Sequence, residues 1–104
     1  MVFSIQKWGL MSDNLTSLHI AIVAPPWQTL PPTGYGPVET ICAQLADSLI
    51  ARGHQVVTIG AGASGTTAPH VATYEQPPIG RLGDRLTELL HAVKATRILA
   101  ELDE

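Results

Sequence analysis

The sequence predicts an α/β fold in which helices flank a parallel sheet. Two short apolar segments, residues 18–24 and 56–59, are rich in β-branched side chains, as strands buried on both faces are. Between them, residues 38–50 carry apolar side chains at helical spacing. Strand, helix and strand in this order are typical of a crossover between neighbouring parallel strands. The predicted architecture is therefore a Rossmann-like parallel sheet with flanking helices.

Length and composition limit the class of protein. A chain of 104 residues allows one small domain, and 45% hydrophobic with 14% charged residues is a globular composition. The net charge of −3 gives no basic excess of the kind that binds nucleic acid. Residues 1–17 show no clear periodicity, so we treat them as an N-terminal extension and residues 18–104 as the domain.

The expected location follows from the same data. The single cysteine, Cys42, cannot form an internal disulfide, which favours a reducing compartment. No signal-peptide pattern opens the chain, and the longest apolar run, residues 20–27, is far shorter than the ~20 residues of a membrane span. We expect a cytoplasmic protein with no transmembrane segment, and peripheral contact with a membrane stays open.

The elements follow in order along the chain. The first strand stops at Pro25 and Pro26, and residues 27–37 form a loop of helix and strand breakers. Pro37 suits the first helical position, because its missing N–H would have no partner there. The predicted inward stripe of this helix is apolar throughout: Val38, Ile41, Cys42, Leu45, Ala46, Leu49 and Ile50. Gly53 is placed to take the left-handed conformation that ends the helix.

The second half of the chain predicts one more strand and one more helix. Residues 71–74 form a short third strand, at an edge of the sheet, and Asp84 caps a helix. We expect the inward face of this helix to be Leu86, Leu89, Leu90 and Val93, extended by Ile98, Leu99 and Leu102. The sequence ends where a further strand of such a fold would begin. We therefore expect an incomplete sheet with open strand edges.

An ordered set of motifs carries a family resemblance. It consists of Val23-Ala24-Pro25-Pro26-Trp27, Gly34-Tyr35-Gly36, Leu45-Ala46 and Arg52-Gly53-His54-Gln55-Val56. Together they resemble the N-terminal domain of family 4 glycosyltransferases, which have the two-domain GT-B fold. The resemblance covers roughly residues 18–62. It implies a truncated N-terminal, acceptor-side domain of such an enzyme.

The resemblance also implies a site. In the family the glycine loop faces the cleft between domains, near the donor's phosphates and the acceptor, and we carry this over to Gly34, Tyr35 and Gly36. Glycines allow close approach of the backbone, and the loop leads onto a helix N-terminus, which attracts anions. A purely structural strand-to-helix turn stays open as an alternative. Pro37 stands where many members have a second glycine, and it removes one N–H.

The implied function is transfer of a sugar from a nucleotide-sugar donor to a sugar or lipid acceptor, with retention of anomeric configuration. The nucleotide-sugar is a substrate, and neither a cofactor nor a metal is implied. We assign no catalytic residue, because the donor-binding segments of the family have no counterpart in this sequence. The chain alone is therefore expected to be inactive. A small nucleotide- or phosphate-binding module, and a subunit completed by a separate partner, remain alternatives.

Other patterns carry less functional information. Residues 60–65 fit G-x-G-x-x-G, but no helical pattern follows, so we expect a flexible loop and no dinucleotide site. The histidines are too widely spaced to predict a metal site: His19, His54, His70 and His91. We expect His54 to be a turn residue, His91 to be a solvated or boundary residue, and Cys42 to be an inert thiol in the core.

Overall fold

The computed structural model describes the main chain of residues 2–7 and the whole of residues 17–102. The strands are β1 (Val2–Lys7), β2 (Leu18–Val23), β3 (Gln55–Ala61) and β4 (His70–Tyr74). The helices are α1 (Pro37–Ala51) and α2 (Arg85–Leu102), with a short 3-10 helix at Ile79–Arg81. The remainder of the predicted N-terminal extension (residues 1 and 8–16) and residues 103–104 lie outside the described residues.

The strands form one sheet in the order β1-β2-β3-β4. β2, β3 and β4 are parallel, and helices flank them, which confirms the predicted Rossmann-like α/β class. β1 adds an antiparallel strand beside β2, paired from Val2 opposite Val23 to Lys7 opposite Leu18. The sequence analysis assigned no element to this part of the extension. β2 therefore lies between two strands, and neither of its edges is open.

β2 is buried on both faces, as its composition predicts. Ile20 and Ile22 belong to a core cluster with residues of α1, whereas Val23 packs with Ile59 and with Ala95 of α2. Because successive side chains of a strand point to opposite faces, α1 and α2 cover opposite faces of the sheet. The sheet is thus enclosed between two helices at its centre.

Helix α1 begins at Pro37 as predicted, and Gly53, with φ of 92°, turns the chain back toward β3. The predicted inward stripe is only partly right. Val38 and Ile41 are exposed, and the buried face is made of Cys42, Ala43, Ala46 and Glu39. Small side chains let the helix axis lie close to the sheet, and the larger Leu45, Leu49 and Ile50 pack at its flank.

Helix α2 is capped as predicted. The Asp84 carboxylate accepts hydrogen bonds from the Thr87 N–H at 3.0 Å and from the Thr87 hydroxyl at 2.7 Å. These two bonds also hold the pKa of Asp84 below its ordinary value. Asp84 thereby satisfies one of the N–H groups that every helix leaves without an internal partner at its start.

The predicted inward face of α2 is wrong. Its leucine and valine positions, Leu86, Leu89, Leu90 and Val93, are exposed, Leu89 to 60%. The buried residues are instead Thr87, His91 and Ala95, which recur every four positions, with Ile98 and Leu99 partly buried beyond them. Hydrogen bonds between α2 and the end of the sheet fix this rotation of the helix, and they override the apolar stripe.

The outer strand β4 is tied to α2 by polar contacts. The Lys94 ammonium donates to the Thr73 carbonyl at 2.9 Å and lies 4.2 Å above the centre of the Tyr74 ring. The Tyr74 hydroxyl donates to the Thr87 carbonyl at 2.9 Å. A lysine that takes up a carbonyl of an edge strand also blocks that edge against pairing with another chain.

The connection between β3 and β4, residues 62–69, contains no helix. This is the segment that fits G-x-G-x-x-G, and its course confirms that it does not open a helix. It is held by the Gly65 N–H, which donates to the Leu30 carbonyl at 2.7 Å, and by Asp47, which accepts from the Thr67 N–H and hydroxyl, both at 2.8 Å. The loop after β2 and the loop after β3 are thereby joined.

Candidate functional site

The loop of residues 24–36 leaves the carboxyl end of β2 and leads onto the first turn of α1. In open parallel sheets, ligands bind outside the carboxyl ends of the strands. The loop closes on itself through the Thr29 hydroxyl, which donates to the Pro31 carbonyl at 2.8 Å, and through Gln28, which reaches the Tyr35 carbonyl at 3.5 Å. It is therefore a defined turn at the expected end of the sheet.

The three predicted site residues differ in their surroundings. The Tyr35 side chain is 89% exposed, and a Cβ at Gly34 would meet nothing within 4 Å. Gly36 is the N-cap of α1, and a Cβ there would lie 3.0 Å from Glu39 Oε1 and 3.1 Å from the Pro32 Cβ. A side chain at Gly36 would thus be closely packed, whereas a side chain at Gly34 would meet no neighbour and that of Tyr35 is in solvent.

A groove of about 570 Å³ opens beside this loop. Its walls come from the end of β2 and the following prolines, from the first turn of α1, and from the sheet-facing side of α2. Its lining includes apolar and aromatic residues, Pro25, Pro26 and Trp27, and three residues with ionisable side chains, Glu39, Glu88 and His91. None of the three predicted site residues lines the groove. Gly36 is next to it, because Glu39, which does line the groove, lies close to Gly36.

Glu39 is the functional candidate that sequence reasoning missed. The side chain is only 5% exposed, and it forms part of the wall of the groove. Among residues 17–102, no fully buried side-chain oxygen or nitrogen lacks a hydrogen-bond partner. The sequence signal, an acidic residue in a first helical turn, indicates only a favourable interaction with the helix dipole.

The start of α1 supplies hydrogen-bond donors beside Glu39. No side chain caps this helix, and its first internal hydrogen bond runs from the Thr40 N–H to the Gly36 carbonyl at 2.9 Å. The first N–H groups of a helix have no internal partner, and Pro37 contributes none. A carboxylate acceptor and backbone donors therefore meet at one end of the groove.

His91 forms part of the opposite wall and is buried, contrary to the expectation of a solvated or boundary residue. Its Nε2 lies 2.8 Å from the Ala24 carbonyl, and its Nδ1 lies 2.7 Å from the Thr73 hydroxyl. A carbonyl only accepts, so Nε2 carries the hydrogen, and in the neutral ring Nδ1 accepts from Thr73. Burial lowers the pKa of His91, which favours this neutral form.

His54 behaves as the turn residue that the motif predicts. Its Nδ1 accepts a hydrogen bond from the Leu18 N–H at 3.1 Å, and so it links the turn after α1 to the start of β2. A second cavity of about 560 Å³ opens at this end of the sheet, and its lining is largely apolar. It lies at the amino ends of the parallel strands, where catalytic groups are not expected.

The described residues hold no group of three or more His, Cys, Asp or Glu side chains placed to bind a metal ion. Among the same residues, no helix has the length and apolar content that crossing a bilayer requires. The chain was also compared with known proteins. No family model matches it, and no curated protein is significantly similar.

Proposed function

We propose that this chain forms the acceptor-side part of a sugar-transfer enzyme, as its resemblance to family 4 glycosyltransferases implies. The observation that supports this most is the position of the glycine loop. It leaves the carboxyl end of β2, leads onto the uncapped N-terminus of α1, and lies beside a groove whose far wall is α2. Ligand sites of doubly wound α/β proteins have this arrangement.

The groove supplies some of the chemistry that sugar transfer needs, but not all of it. Departure of a nucleoside diphosphate requires positive charge or several donors at the leaving oxygens. Among residues 17–102, no lysine or arginine lines the groove. The groups that hold the donor would therefore come from a second domain or a partner, and we expect no transfer by the chain alone. The reaction would take place in the cytoplasm, with or without contact with a membrane surface.

A second candidate is a subunit that a separate protein completes. The exposed apolar side chains of α2 favour it, since Leu86, Leu89, Leu90 and Val93 lie on one side of the helix and face away from the sheet. A partner that carried the donor-binding groups would give this candidate the same overall reaction as the first.

The test is an extract assay. Cells that lack the chain are compared with parental cells for transfer of label from a panel of radiolabelled nucleotide-sugars into lipid, glycan and small-molecule fractions. We expect one labelled product to disappear, and purified chain added to the extract should restore it. A Gly36→Val chain should restore it less well, because a branched side chain would press on Glu39, Pro32 and Gln28 and alter the loop.

The result that contradicts the proposal is equally direct. If transfer from every nucleotide-sugar in the panel is the same with and without the chain, the sugar-transfer function is wrong. If purified chain alone releases nucleotide from any of these donors above a heat-inactivated sample, the expectation that it needs a second component is wrong.

A further inference from the structure

We infer that two copies of this chain associate through the outward side of α2, which is formed by Leu86, Leu89, Leu90 and Val93. In this pair the two helices run antiparallel about a two-fold axis that passes between Leu89 and Leu90. The inference goes beyond the proposed function and does not depend on it, because this surface is on the side of α2 that faces away from the sheet.

The first step is the surface itself. Leu86, Leu89, Leu90 and Val93 are each 42–60% exposed, and their spacing of three and four residues places them side by side along the helix. Their joint area, on the order of 400 Å², is that of the largest apolar patch of a typical monomeric protein, and such a patch often marks an interaction site.

The second step is the position of this surface on the helix. Thr87, His91 and Ala95 are the buried residues of α2, Glu88 lines the groove, and Lys94 donates to the Thr73 carbonyl of β4. The apolar residues occupy the side that these contacts leave. Their exposure shows that no element among residues 17–102 covers them.

The third step is the spacing, which is the same when it is read in either direction. The positions of Leu86, Leu89, Leu90 and Val93 are symmetric about the midpoint between the two central leucines. When two such helices run antiparallel about that midpoint, Leu86 of one copy lies opposite Val93 of the other, and the central leucines meet at the axis. A two-fold interface requires this self-complementarity, whereas contact with a different protein does not.

The fourth step is the charge of the surface. A residue near a two-fold axis meets its own copy, so a charge at that place would repel itself. The outward positions nearest the axis are all apolar. Arg85 and Arg97, the cations that flank them, are about 7 and 11 Å along the helix from the axis, so each is farther than the ~10 Å screening length from its own copy.

An anionic membrane fits this surface less well. Acidic lipids attract clusters of Lys and Arg side chains. Helix α2 has three cationic and two acidic side chains, and one of the cations, Lys94, is bound to the Thr73 carbonyl. The whole chain carries a net charge of −3, which an acidic surface repels. A second copy is therefore the better occupant.

The size of the surface sets the strength of the association. Roughly 400 Å² from each copy is below the ~1,200 Å² in total that stable interfaces bury, and it is in the range of transient ones. We therefore expect a Kd in the high micromolar range and dissociation on dilution. At low concentration, unfolding measurements then report the stability of the single chain.

The experiment is sedimentation equilibrium of the full chain from low micromolar to millimolar concentration. The mean mass of the original chain should rise toward that of two chains. Leu89→Glu and Leu89→Lys each place like charges opposite each other at the axis, and each should raise the Kd about tenfold or more. A mixture of the two variants places unlike charges opposite each other, so it should associate again.

The matched control is Ile41→Glu, which adds the same charge at a position of α1 that is 54% exposed, and it should associate as the original chain does. Leu89 is itself 60% exposed, so both of its variants should fold, and circular dichroism checks this. The inference is overturned if the original chain stays a monomer throughout, if the Leu89 variants associate as it does, or if their mixture does not associate.

Vesicles of phosphatidylcholine and phosphatidylglycerol test the other occupant. An original chain that stays monomeric but binds these vesicles, with binding lost in Leu89→Glu, overturns the inference and assigns the surface to lipid. The extract assay is independent of both results, because it reports sugar transfer whether or not two copies associate.

Discussion

Two histidines, the buried His91 and the half-buried His70, are held by the same arrangement of atoms. His91 is bonded through Nε2 to the Ala24 carbonyl and through Nδ1 to the Thr73 hydroxyl. His70 is bonded through Nε2 to the Gly62 carbonyl at 3.0 Å and through Nδ1 to the Thr58 hydroxyl at 2.7 Å. In each case the carbonyl fixes the hydrogen on Nε2, so the neutral ring completes both bonds. Burial lowers the pKa of both side chains.

The stability of the protein should therefore fall in mild acid. The ordinary pKa of histidine is about 6.5, and a pKa that is lower in the folded state means that the unfolded state takes up protons first. The stabilisation is complete above about pH 6.5 and is lost as the pH falls through the folded pKa of each ring. The lowered pKa values of Asp47 and Asp84 act only below about pH 4.

Thermal unfolding of the original chain and of a His70→Gln, His91→Gln double variant checks this. The Tm of the original chain should drop between about pH 7 and pH 5. Glutamine does not titrate, so the Tm of the variant should vary less over that range. An original chain with the same Tm at both values, or a variant with an undiminished drop, would contradict the assignment.

Gly62 is the position where the backbone most requires glycine. Its φ is 70°, and a Cβ would lie 2.9 Å from the Pro77 Cδ and 3.1 Å from the Thr29 Cγ2. Gly62→Ala should reduce the free energy of unfolding by about 1–3 kcal/mol, through both backbone strain and collision. Gly80→Ala is the control, because its Cβ meets nothing within 4 Å, and it should change stability by less than about 0.5 kcal/mol. Urea unfolding measures both, and equal effects would refute the argument.

At the scale of the element, the orientation of α2 makes an unusual prediction. A change of Leu86 and Leu89 to glutamine should alter the free energy of unfolding by less than about 1 kcal/mol, because both side chains are exposed. Ala95→Gln should destabilise by about 2 kcal/mol or more, since Ala95 is packed against Val23 and Ile59. Urea unfolding of the variants decides between the two faces. The reverse order of effects would restore the leucine face as the inward one.

The same helices show what the sequence could and could not predict. The starts of both helices were predictable, because the effects of Pro37 and Asp84 are local and involve only the first turn of each helix. Their rotation was not, because the inward residues are small or polar, such as Ala46, Thr87 and Ala95, and carry little apolar signal. Small residues allow close packing, and the bonds of His91 then fix α2. Both effects depend on tertiary contacts, and the spacing of apolar residues in the sequence carries no information about those contacts.

The candidate site divides in the same way. The glycine loop was predictable from its motif, and at Gly36 a Cβ would be tightly packed against Glu39 and Pro32. The role of Glu39 was not predictable, because a first-turn carboxylate is ordinary in sequence. What distinguishes it is its burial in the wall of the groove, and that depends on where the loop and α2 lie relative to α1.

At the scale of the whole molecule, we expect β1 to limit self-association of the chain. It takes up the edge of β2 that a parallel sheet of β2, β3 and β4 alone would leave open. An unpaired strand edge is a template for association with other chains. The parallel part of the sheet followed from apolar segments of the sequence, whereas β1 is short and carries only a weak alternation, so pairing with β2 is what defines it.

Removal of residues 1–7 should therefore increase concentration-dependent association and lower the Tm. Light scattering after size-exclusion chromatography measures the first effect, and hydrogen exchange at the amides of β2 should rise in parallel. A chain that lacks residues 103–104 is the control. A truncated chain that associates no more than the original chain, with β2 amides as protected as before, would show that β1 does not protect this edge.

Because Cys42 is fully buried, chemical labelling of its thiol can measure how often the protein opens. The thiol is fully enclosed on the inward face of α1, and burial raises its pKa, so the reactive thiolate is scarce while the chain is folded. A thiol reagent can label it only during an opening that detaches α1 from the sheet, and the labelling rate then reports how often this happens. Since the chain has one cysteine, each labelled molecule has opened at that one place. In an oxidising environment the same opening would allow two chains to become covalently joined, so a folded core is also the protection against cross-linking.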